Sequence, residues 1–117
     1  MKKVHTMLSR LPLGVLLIVG MFAITITGWS AESISNKRAD ELRHLLIQDC
    51  GSCHGMTLKG GLGPALTPQA LGGKPKDAML ATVLHGRPGT PMPPWSNLLS
   101  REEARWIIEL LYRGVGE

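Results

Sequence analysis

The sequence predicts a small all-α domain, with two helices at the ends of a loop-rich middle, behind an N-terminal leader. Three observations carry this. Apolar residues recur at three- and four-residue intervals around Leu42–Leu46 and Ala104–Leu111, the period of a helix face. Most of the 14 Gly and 8 Pro fall between those two segments and forbid long regular elements there. No strand-like alternation, internal repeat or βαβ pattern occurs anywhere along the 117 residues.

The leader comes first. Lys2, Lys3 and Arg10 form a basic head, Leu11 to Trp29 runs without a charge, and Ser30, Ala31 and Ser33 are small residues suited to cleavage. That order is the pattern of a secretory signal peptide, here residues 1–30. The apolar run is also close to the ~18–20 residues that a spanning helix needs, so an uncleaved anchor is the alternative. Either way the remainder is exported. Three of the 13 basic residues lie in the leader and all nine acidic ones lie beyond it, so ten basic residues face nine acidic ones in the exported part. A net charge of +1 gives no reason to expect nucleic acid.

A first helix is expected from Ser35 or Asn36 to Asp49, with Leu42, Leu45, Leu46 and Asp49 at helical spacing. Met56 to Pro75 reads as loop, with one helical turn over Thr67–Leu71. A short helix follows from Lys76 or Asp77 to His85, its apolar face made by Met79, Leu80, Val83 and Leu84, and Gly86 stops it. Four prolines then exclude regular structure between Arg87 and Trp95. The last helix, Arg101 to Arg113, opens on a Ser100/Glu103 capping box and buries Ala104, Ile107, Ile108 and Leu111.

Such a chain is short of core. Beyond the leader it has no Phe, one Tyr and two Trp, and domains of this size often need a staple or cofactor. A disulfide between Cys50 and Cys53 would close too short a loop to stabilise much. Cys50-Gly51-Ser52-Cys53-His54 is instead the attachment pattern of a c-type haem. Two thiols three residues apart reach two positions on one porphyrin edge, and the next residue stands over one face as an iron ligand. The apolar plate supplies the missing core. A redox CxxC would need a βαβ context that is absent, and a zinc site would need Cys50, Cys53, His54 and a distant His85 together.

The sixth iron position draws on His44, His85, Met56, Met79 or Met92. His44 would have to bend back from its helix, Met56 is too near His54, and Met79 suits helix packing. Met92 lies 38 residues after His54, between Pro91 and Pro93-Pro94, so a stiff segment presents its thioether. Met92 is favoured, with His85 or an open site as alternatives. Around these, the Pro64 carbonyl is expected to orient His54, Trp95 and Arg87 to wall the haem edge or meet its propionates, and Trp106 to pack between helices.

Taken together, the capped helix, the Cys50–His54 motif, the Gly-Pro loop, Pro91-Met92-Pro93 and the amphipathic last helix resemble a class I cytochrome c over about residues 36 to 114. The strings Gly60–Pro68, His85–Trp95 and Ala104–Ile107 are similar to those of NirC-type periplasmic cytochromes, encoded with the cytochrome cd-type nitrite reductase of denitrifying bacteria. The resemblance implies the class I cytochrome c fold, terminal helices packed around one covalent haem c, with residues 31–117 as the monohaem domain. Cys50 and Cys53 would hold the haem covalently, and His54 and Met92 would be the axial iron ligands. It implies a periplasmic electron carrier rather than an enzyme, with redox proteins as partners, nitrite reductase first among them. The alternative is a part in maturing that reductase's non-covalent haem. No nucleic-acid partner is implied, and the membrane enters only if the leader stays uncleaved.

Overall fold

The computed structural model describes residues 33–115, so the leader expected at 1–30 lies outside the described residues. Five α-helices occur in them: α1 Asn36–Leu45, α2 Gly51–His54, α3 Pro68–Leu71, α4 Lys76–His85 and α5 Arg101–Arg113. There is no strand among the described residues, and no helix in them is long and apolar enough to cross a membrane.

The first helix departs from expectation. It does not stop at Asp49 but passes through a π-helical turn, Leu46–Cys50, straight into α2. The Gly51 amide donates to the Leu46 carbonyl, five residues back, which is the bond that defines the wider turn. Cys50, Cys53 and His54 therefore sit in continuous helix, and Gly55, at φ +85°, ends it. The other elements lie where the periodicity puts them. Thr67 caps α3 through its side chain, and both halves of the Ser100/Glu103 box are made at the start of α5.

Helix α5 is the centre of the packing and touches α1, α3 and α4. Its predicted apolar positions are buried, joined by Leu110, against Leu42 and Leu46 from the first helix and Leu80 and Leu84 from α4. Polar contacts fasten the same partners from outside. Arg43 stacks over Trp106, whose role is helix packing as expected, at 5.2 Å from the ring centroid. Lys76 pairs with Glu109 at 2.6 Å and lies over the Tyr112 ring, while the Tyr112 hydroxyl donates to the Lys74 carbonyl at 2.7 Å.

One contact joins α1 to α5 and predicts a pH effect. Arg38 Nε donates to Glu103 Oε1 at 2.6 Å, and the Ser100 amide donates to Glu103 Oε2 at 2.8 Å. The Arg38 guanidinium, aided by that amide, holds the Glu103 carboxyl below the usual carboxylate range. A depressed carboxylate stabilises the fold above its unfolded pKa, about 4.3, and that contribution is lost as pH falls through the folded value. Glu103→Gln keeps the cap but not the charge. Denaturation of the holoprotein should thus show a weaker dependence on pH below about 4.3 in Glu103→Gln than in the parent. Ser100→Ala should cost about 1 kcal/mol at neutral pH, through loss of the helix cap.

Candidate functional site

The site begins where α2 ends. After Gly55 the chain doubles back: the Gly60 amide donates to the His54 carbonyl and the Gly63 amide to the Cys53 carbonyl, both at 2.8 Å. A Cβ at Gly61 would stand 2.8 Å from the Cys53 carbonyl oxygen. One at Gly63 would stand 2.7 Å from His54 Cε1. Glycine at 63 thus makes a cradle that admits the imidazole. The next residue fixes the ring, because His54 Nδ1 lies 2.7 Å from the Pro64 carbonyl oxygen. A carbonyl can only accept, so Nδ1 carries a proton, and in the neutral imidazole Nε2 then keeps the lone pair. This is the contact expected of Pro64.

Beside the imidazole opens a cavity of about 680 Å³, within the ~300–1,000 Å³ of cofactor pockets. Leu46, Leu71, Val83, Ile107, Ile108 and Leu111 give it an apolar wall, and Cys50, Cys53, His54 and Met92 all line it. Those four predicted residues come from two segments that the fold brings to one space. Trp95 and Arg87 line it as well, as the sequence suggested.

The donor set fits a flat apolar cofactor held through thiols. Burial, with Asp49 beside it, pushes the Cys50 thiol up to about 11, so it remains protonated at neutral pH. The fourth residue that a zinc site would need, His85, is exposed and does not line the cavity. Among the described residues no three His, Cys, Asp or Glu side chains are placed to hold a metal ion by themselves.

The rival sixth ligands lie in different places. His44 is exposed on α1 and absent from the cavity wall, and Met56 is exposed above Gly51. Met79 packs against the core, as its helical position predicted, but also lines the cavity. Met92 reaches it from a loop stitched to α4: the Trp95 amide donates to the Val83 carbonyl at 3.1 Å and the Ser96 amide to the Leu84 carbonyl at 3.2 Å. Sequence reasoning missed Lys74 and Asp49, the other charged residues on the wall. Lys74 is held there by local bonds, its amide to the Leu71 carbonyl and its ammonium to the Ala70 carbonyl, and by the Tyr112 hydroxyl on its own carbonyl, a tertiary bond.

Comparison with known proteins accords with this geometry. A family model described as cytochrome C oxidase, cbb3-type, subunit III matches residues 37–111. Cytochrome c55X of Pseudomonas aeruginosa is 57% identical over 93 residues, which are 80% of this chain and 78% of that protein. A solved structure of a c-type cytochrome NirC superposes with a TM-score of 0.67 at 61% identity, covering 68% of this chain and 94% of the other. Dihydro-heme d1 dehydrogenase NirN in complex with DHE gives a TM-score of 0.58 at 32% identity, over 63% of this chain but only 16% of that larger protein.

Proposed function

This chain belongs to the c-type cytochromes, in the group that holds cytochrome c55X and NirC, and on that premise we propose that it delivers single electrons to a cytochrome cd-type nitrite reductase in the periplasm. Its cofactor is one covalently bound haem c, and it is an electron-transfer protein rather than an enzyme. In this reading Cys50 and Cys53 would hold the haem through thioethers, and His54 and Met92 would be the protein donors to its iron. The observation that carries the assignment is the Nδ1–H bond from His54 to Pro64, which leaves Nε2 free beside an apolar cavity that Met92 also lines.

When bound, the haem iron supplies reversible one-electron exchange. The residues do the rest. Pro64 and Gly63 hold the imidazole in one tautomer and one orientation. A thioether donor at Met92 favours ferrous iron and raises the potential relative to two imidazoles. Val83 of α4 and Ile107, Ile108 and Leu111 of α5 would keep water from the haem, which strengthens electrostatic interactions at the site. Arg87 and Lys74 offer cations for the propionates.

The likeness to dihydro-heme d1 dehydrogenase favours a second reading, in which the electrons serve maturation of the reductase's non-covalent haem. The two readings part experimentally. Reduced holoprotein mixed with reductase and nitrite should be oxidised at the rate of turnover if it is a donor. No oxidation, together with reductase lacking its non-covalent haem in a strain deleted for this gene, would move the function to maturation.

A further inference from the structure

The segment that carries Met92 is closed upon itself. Gly86, at φ +69°, lets the chain leave α4 so tightly that a Cβ there would lie 2.7 Å from the Met92 carbonyl oxygen. That carbonyl accepts from the Arg87 amide at 3.1 Å. Between the two residues stands Thr90. Its hydroxyl donates to the Arg87 carbonyl at 2.7 Å and accepts from the Met92 amide in a longer bond of 3.3 Å. Both backbone polar groups of Met92 are thus tied to residues at most five positions earlier. Pro91 and Pro93, on either side, have fixed φ and no amide to offer.

The Arg87 carbonyl also accepts from the Thr90 amide at 3.1 Å, so the hydroxyl adds a second bond there and links it to the Met92 amide, with donor and acceptor on a single atom. We propose that the Thr90 hydroxyl is a positioning group that locks the Arg87–Pro94 strap shut and keeps the Met92 sulfur on the iron in both oxidation states. The inference rests on the reading of Met92 as axial ligand. A thioether binds ferric iron less firmly than ferrous iron, so in the ferric protein the strap decides whether the sulfur stays. A strap closed by its own bonds does not reopen when the electron leaves, and little rearrangement accompanies each transfer.

Thr90→Val keeps the shape and removes the hydroxyl; Thr90→Ser restores it without the methyl group. Cyanide binding to ferric holoprotein reads strap opening, since the sulfur must leave first. Losing one ordinary and one long hydrogen bond should raise the binding rate of Thr90→Val about tenfold, and its near-infrared sulfur-to-iron band should fade at a lower temperature. Thr90→Ser should match the parent in both. An unchanged cyanide rate in Thr90→Val would overturn the proposal, as would Thr90→Ser behaving like Thr90→Val, which would assign the effect to the methyl group. If the unaltered protein shows no sulfur-to-iron band, it is the ligand reading that fails. The lock is then judged by hydrogen exchange at the Met92 amide: protection in the parent and Thr90→Ser but not in Thr90→Val upholds it, and equal exchange in all three refutes it.

Discussion

Met92→Ala should abolish the near-infrared sulfur-to-iron band, lower the midpoint potential and open the ferric iron to cyanide at once. A thioether is a soft, neutral donor that favours ferrous iron, and water or nitrogen in its place favours ferric. Each tenfold change in that preference is ~59 mV for one electron, so a modest preference already decides whether a partner can be reduced. Met92→His should remain six-coordinate while its potential falls. The informative control is Met79→Ala, because Met79 is the other thioether lining the cavity among the described residues. His85→Ala is the weaker control, since that side chain is exposed. Should Met79→Ala lose the band and midpoint while Met92→Ala keeps them, the ligand assignment is wrong.

The second large effect concerns Cys53. Haem should remain with the unaltered protein through acid-acetone extraction, and Cys53→Ala should accumulate poorly, with at most one thioether. The cavity explains the severity. Without the haem its apolar wall, Ile107, Ile108 and Leu111 included, would face water, and a domain this small has little other core to offset that. Typical domains are stable by only about 5–15 kcal/mol. Apoprotein is therefore expected to be unfolded, visible as loss of far-ultraviolet helical dichroism. Folded, soluble apoprotein would show that the helices suffice without the plate.

Much of this was legible in the residues. The capping box at Ser100 and Glu103, the stop at Gly86 and the apolar spacing of α5 are local patterns, and local physics enforces them. The Cys50–His54 motif and the Pro64 carbonyl were legible because haem attachment fixes residue spacing along the chain. What escaped depends on bonds between distant or irregular segments. Nothing in Leu46–Cys50 advertises a five-residue hydrogen-bonded turn. Leu58 is buried at φ +58° without being glycine, held by Leu66 donating to its carbonyl at 2.8 Å. Lys74 on the cavity wall takes a bond from distant Tyr112 besides its local ones, and the proline-rich loop concealed a strap whose bonds run through a threonine hydroxyl.

The π-helical turn before the cysteines sets a phase. An α-helix advances about 100° per residue, so one residue accommodated in a wider turn rotates everything after it against everything before. Upstream, Leu42 is buried in the core cluster with the apolar face of α5; Leu46 opens the turn and Cys50 closes it, and both line the cavity together with Cys53 and His54 beyond. The two halves form one rod with two azimuths, and the turn is the joint between them. Shortening that joint by a residue would leave the helix equally long-lived as a helix, yet would swing the thiols and the imidazole away from the plate they are built to grip.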